Sequence, residues 1–138
     1  CIGPYKRKRY NILQQFSVMG KIEKPWGYEE HVLTTQVEIG GERGMLGIRR
    51  LVINSDEMTS YALHENQSDI IYLEEGSATL RVEDELEELK KGKASIIRSG
   101  ERHQIQNIDS KVAEVLEISF PYRPDDIERV EDPYKESR

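Results

Sequence analysis

One cysteine, Cys1, occurs in 138 residues. No internal disulfide is possible, so the fold must rest on burial alone, and a reducing, cytoplasmic setting is expected. Long apolar runs are missing as well. None approaches the roughly 18 residues of a membrane-spanning helix. The basic run Lys6-Arg7-Lys8-Arg9 is not followed by the apolar stretch of a secretory leader, so none is expected. Aromatic residues make up only 7% of the chain, with a single tryptophan, Trp26. Between Gly20 and Phe120 the apolar residues do not recur at three and four positions, which argues against amphipathic helices.

Charge, by contrast, is plentiful, at 33% of residues with a net of −6. It is unevenly spread. Residues 1–20 hold four basic residues and no acid, and the rest sets 16 basic against 26 acidic residues, a balance of −10. An acidic body is a poor surface for nucleic acid, whose phosphates supply most of the affinity. Neither nucleic acid nor membrane is expected as a partner. Residues 1–20 are read as a basic tail: disordered, left over from cloning or an upstream start, or packed on a partner. Met19-Gly20 is read as a natural beginning, and residues 21–138 as one domain.

That domain reads as many short β segments. Lys24-Pro25-Trp26-Gly27-Tyr28 is a compact turn, with Trp26 and Tyr28 expected to pack over one end of a barrel. Strands are expected at His31–Thr35, Met45–Ile53, Met58–His64, Asp69–Glu74, Ser77–Val82, Glu85–Lys90, Ala94–Arg98, Arg102–Asn107 and Val112–Phe120. Turns such as Glu75-Gly76, Lys91-Gly92 and Ser99-Gly100 separate them. Spacing of this kind predicts an all-β double-sheet jelly roll or barrel. One helical turn is expected over Pro124–Val130.

Alternation along strands puts Ala62 and His64 on one face, and Asp69 and Ile71 on one face of the next. If those two strands pair across Glu65–Ser68, His64 and Asp69 converge inside a barrel. His103 comes from a later strand. Two imidazoles and a carboxylate suit a divalent metal with positions left open. Surface groups, or hydrogen-bonded core groups, are the plain alternative for the same residues.

The spacing around them resembles the two cupin motifs, G-x5-H-x-H-x3,4-E-x6-G and G-x5-P-x-G-x2-H-x3-N. The second is met at Gly92, Gly100, His103 and Asn107, with Arg98 where proline is usual. The first is met at His64 and Gly76, with Asp69 for glutamate, Asp56 for the first glycine and Ala62 for the first ligand. A closer likeness spans roughly 110 residues. Lys24-Pro25-Trp26-Gly27 and the closing Asp125-Asp126-Ile127-Glu128-Arg129 to Tyr134 are similar to the cupin domain of type II mannose-6-phosphate isomerases, also fused to mannose-1-phosphate guanylyltransferases. That family's glutamine ligand is Ala62 here, and its HHHR run is His64-Glu65-Asn66-Gln67.

The resemblance implies a cupin jelly-roll barrel, a second copy of the chain as partner in a homodimer, and a sugar or sugar phosphate as ligand. It implies aldose–ketose isomerisation through an enediolate, with His64, Asp69 and His103 holding Zn, Mn, Fe or Ni. Glu117 is the candidate base and Glu65 its alternative; Arg50, Arg98 and Arg102 are the candidates for phosphate. A non-catalytic sugar-binding cupin and an Fe(II) oxygenase are the rival expectations.

Overall fold

The computed structural model describes residues 20–134, so the basic run Lys6–Arg9 and all of the expected tail before Gly20 lie outside the described residues. The strands, in chain order, are β1 (Lys21–Lys24), β2 (Gly27–Ile39), β3 (Glu42–Ile53), β4 (Tyr61–Leu63), β5 (Ser68–Glu75), β6 (Thr79–Val82), β7 (Glu85–Glu88), β8 (Ala94–Ile97), β9 (His103–Gln106), β10 (Ala113–Phe120) and β11 (Glu128–Glu131). They form a six-stranded sheet, β1-β2-β3-β10-β5-β8, facing a five-stranded sheet, β11-β4-β9-β6-β7. Every strand pairing is antiparallel. This is an all-β jelly roll. Among the described residues no helix is long and apolar enough to cross a membrane.

All nine expected strands are present, though β2 starts earlier and runs further than its β-branched centre suggested. Three features differ from the sequence reading. Lys21–Lys24 is an additional strand, hairpinned onto β2 around Pro25 and Trp26. The segment Pro124–Val130 is not a helical turn: Asp126 N–H makes a single turn bond to the carbonyl of Arg123 (2.9 Å), and Glu128–Glu131 then becomes β11. An isolated turn of helix carries the full cost of nucleation, whereas the open edge of β4 offers this segment a ready ladder.

The third difference matters most for the site. β4 and β5 do not pair with each other. β4 lies between β11 and β9, and β5 between β10 and β8, so residues 64–67 carry the chain from one sheet to the other. Within this connection the amides of Glu65 and Asn66 both donate to the carboxylate of Asp126 (2.9 and 2.7 Å). His64 and Asp69 therefore meet across the space between the sheets, not side by side on one of them.

The core lies between the sheets and includes Leu51, Ile53, Ile71, Leu73, Leu80, Ile105 and Val115. Trp26 is part of it, as expected, while Tyr28 lies under the ammonium of Lys21 (4.3 Å from the ring centre). Two residues of the sequence motifs fix the frame. Asn107 is fully buried and donates to the carbonyls of Ile53, Asn54 and Lys111. Gly27 has φ +149°, and a Cβ there would sit 1.9 Å from the carbonyl oxygen of Val52, so only glycine lets β2 lie against β3 at this point.

Candidate metal centre and its cavity

The registers of the six-stranded sheet stack its inward residues in levels. Glu29, Leu51, Val115 and Leu73 form one row, on β2, β3, β10 and β5. The next is His31, Arg49, Glu117 and Ile71. The third is Gly47, Ser119, Asp69 and Ile97. On β3, β10 and β5 the inward residues thus change from apolar in the first row to polar or small by the third, while β2 is polar already at Glu29. Above the polar levels opens a cavity of about 550 Å³, walled on the far side by Ala62, His64, His103 and Ile105. All three histidines of the chain line it.

The orientation of His64 and His103 is fixed from behind. Nδ1 of His64 lies 2.6 Å from the carbonyl oxygen of Asp126, and Nδ1 of His103 lies 3.1 Å from that of Glu101. A carbonyl only accepts, so each Nδ1 carries the hydrogen and each Nε2 presents a lone pair. Both lone pairs face Oδ2 of Asp69, at 3.3 and 3.7 Å. The other oxygen, Oδ1, is committed: it accepts from Ser119 Oγ (2.6 Å) and Gln67 Nε2 (3.0 Å). Oδ2 is buried and receives no hydrogen bond.

Three potential ligand atoms therefore converge, all within 4.8 Å of one another. Ligands bound at about 2.0–2.2 Å lie roughly 3–4 Å apart around an ion, so the spacing fits a divalent cation. A proton on an imidazole is the competing way to relieve the repulsion. Burial works against it, holding His103 below the ordinary imidazole range despite the opposing pull of the Glu101 carbonyl and Asp69. Three protein ligands leave positions open for water or substrate. Ala62, opposite His103 in the β4–β9 pair, lines the cavity with only a methyl group, which cannot act as a ligand.

A second polar cluster shares the cavity. Arg49 bonds Glu29 (3.3 Å) with one terminal nitrogen and Glu117 with the other. Its guanidinium lies 5.6 Å from the ring centre of Tyr122, which packs edge-on against His31. Tyr122 occupies the space above Gly47, where a Cβ would come within 2.6 Å of the ring. Its hydroxyl is held above its usual range by burial, with Arg49 opposing. Glu29 and Glu117 are only 7% and 5% exposed. One guanidinium between two carboxylates leaves the cluster with one negative charge in excess. Lys24, Arg123 and Arg129 also line the cavity, and none of the three makes an ion pair among the described residues.

The sequence candidates separate cleanly in space. His64, Asp69 and His103 come together, and Glu117 stands in the same cavity. Arg50 lies on the outer face, bonded to Glu74 (2.8 Å) and Glu30 (3.4 Å). Arg98 is exposed in its turn, and Arg102 is bonded to Glu83 (3.0 Å) beside Tyr61. None of these three arginines lines the cavity. Glu65 is exposed, its backbone tied to Asp126. The sequence reading passed over Arg49, Glu29, Gln67 and Tyr122. Period two along Ile53, Leu51 and Arg49 was the available signal for the first of them.

The family model for the cupin domain matches residues 50–119, which is 70 of the 138 residues. The chain is a cupin. Solved structures agree on the fold at low identity. The capsular polysaccharide assembling protein CapF from Staphylococcus aureus superimposes with a TM-score of 0.67 at 15% identity, over 81% of this chain and 34% of CapF. The chain thus spans about a third of that protein. KdgF from Halomonas sp. gives 0.63 at 19%, over 74% of this chain and 86% of KdgF. A cupin sugar phosphate isomerase from Silicibacter pomeroyi gives 0.54 at 17%, over 66% and 60%. Among curated proteins none matches the sequence. In this cupin the motif residues His64, Asp69 and His103 form the candidate metal centre, while Asn107 and Gly76 serve the frame.

Proposed function

We propose that this cupin is a metal-dependent sugar-phosphate isomerase of the mannose-6-phosphate type, interconverting aldose and ketose through an enediolate. The observation that carries the reading is the shared cavity: the lone pairs of His64, Asp69 and His103 open onto the same space as the buried carboxylate of Glu117. A divalent ion held by those three residues, Zn, Mn, Fe or Ni, supplies positive charge for the oxygen that becomes an oxyanion.

The chain's own residues do the rest. Glu117 removes the proton from the carbon beside the carbonyl and returns it to the former carbonyl carbon, while the hydroxyl proton of the first carbon passes to the former carbonyl oxygen. Arg49 aims that carboxylate. Lys24, Arg123 and Arg129, at the cavity's edge, take the phosphate, the role first sought in Arg50, Arg98 and Arg102. Two observations favour a second reading, a sugar-binding cupin without turnover: Glu117 is already bonded to Arg49, and Ala62 stands where the resembled family has a ligand.

Elemental analysis and a turnover assay test this. We expect close to one metal per chain, conversion of mannose 6-phosphate to fructose 6-phosphate, and loss of both in His64→Ala and His103→Ala. Turnover indifferent to chelation and to both substitutions would sink the proposal. Thermal stabilisation by mannose 6-phosphate without turnover would establish the binding reading.

A cytoplasmic homodimer belongs to the same proposal. Leu33, Ile48, Ile118, Ile70 and Ile96 stand in register across five strands on the outer face of the larger sheet. Ile70 and Ile96 are 38% and 58% exposed. A second copy covering that row removes it from water. Ile96→Glu is expected to shift the light-scattering mass from dimer to monomer, and an unchanged mass would exclude this face.

A further inference from the structure

His64 lies one residue beyond the end of β4, where no strand ladder holds its ring. We infer that the C-terminal strap, Tyr122–Glu131, is the positioning element of the metal centre and that Asp126 sets His64. The inference rests on the metal reading above.

Asp126 grips the His64 corner at three points. Its carbonyl accepts the Nδ1 hydrogen (2.6 Å), and its two carboxylate oxygens accept the amides of Glu65 (2.9 Å) and Asn66 (2.7 Å). The two amide bonds hold the Asp126 carboxyl below its usual range. They also fix the residue whose carbonyl fixes the ring. Without them the carbonyl is free to swing away, and His64 loses both its tautomer and its aim.

The strap reaches a second ligand independently. Arg123 N–H donates to Gln67 Oε1 (2.8 Å), which obliges the amide nitrogen of Gln67 to face the other way, onto Asp69 Oδ1 (3.0 Å). His103 is different, since its Nδ1 hydrogen goes to Glu101 in its own turn. Two of the three ligands therefore depend on the strap and one does not. The same strap brings Arg123, Ile127 and Arg129 to the cavity. Because coupling is reciprocal, whatever steadies the strap tightens the cation, and the cation steadies the strap.

The test compares the native protein, Asp126→Ala and Asp126→Asn. Zn2+ affinity, measured against a chromophoric chelator, is expected to fall about 10- to 100-fold in Asp126→Ala. Asparagine keeps one of the two amide bonds and is expected to recover part of the loss, and it serves as the test should the alanine variant fail to fold. Nitrogen-15 spectra of the metal-free proteins give a readout that a general loss of stability does not move. His64 is expected to pass from the Nδ1–H tautomer to a mixture, while His103 is unchanged. Equal Zn2+ affinity in all three proteins, with His64 still Nδ1–H, overturns this inference alone. A native protein that binds Zn2+ no better than His64→Ala overturns the metal reading together with it.

Discussion

Replacing Glu117 by glutamine is expected to lower kcat for aldose–ketose interconversion about 10²- to 10⁴-fold, with bound metal unchanged. The two outcomes are separable because the residue shares the cavity with the candidate metal centre without belonging to it. Glu117 is two positions from Ser119 on β10, on the same face, which places their Cα atoms roughly 7 Å apart. Ser119 holds Asp69, and Glu117 does not touch it. Glutamine keeps the shape and removes the proton-accepting charge. The fold should tolerate it, since Arg49 then faces Glu29 alone, one charge against one. KM should change little, because the proposed phosphate contacts Lys24, Arg123 and Arg129 are untouched. Glu65→Gln is the control: a loss there, with Glu117→Gln active, would transfer the base to the exposed corner beside His64. Turnover surviving in both would leave the isomerase proposal without a base.

The fold was legible because β structure repeats its signal locally. Turn glycines and alternating strands mark each element where it stands, and the nine expected strands are there. What lay hidden was which strand would sit beside which. His64 and Asp69 are five residues apart and look like neighbours on a hairpin, yet one follows a strand of the smaller sheet and the other lies in the larger. The residue that braces the crossing, Asp126, is about 60 positions away and accepts the amides of Glu65 and Asn66. No local pattern announces such a partner. β11 was missed for the same reason, because Glu128–Glu131 is a strand only by virtue of the β4 edge beside it.

The arginines teach a related lesson. Arg49 and Arg50 are adjacent, and a strand sends adjacent side chains to opposite faces. Charge alone does not separate them; the question is which parity leads inward. Ile53 and Leu51 answer that question, since both are core residues and Arg49 continues their series. Arg98 and Arg102 flank the turn before His103 and so seemed close to the ligand. Proximity along the chain at a turn puts side chains around the rim, where Glu83 already holds Arg102.

Arg49→Met is expected to be the most damaging single change to stability, about 3–5 kcal/mol by denaturant unfolding. Methionine fills much of the apolar stem but leaves Glu29 and Glu117 buried with no cation between them. It is the stranded charge that costs so much, not the lost contact. A buried ion cluster replaced whole by neutral groups is often close to neutral in stability. The triple variant Arg49→Met, Glu29→Gln, Glu117→Gln should therefore regain most of what Arg49→Met loses, and Arg49→Met with Glu117→Gln should regain part. If Arg49→Met alone stays within about 1 kcal/mol of the native protein, the two carboxylates do not need the guanidinium, and Arg49 faces the cavity for the ligand's sake. If the expected order holds, Arg49 belongs to the fold and Glu117 to the chemistry, because the variant that unfolds the barrel and the variant that silences it are then different ones.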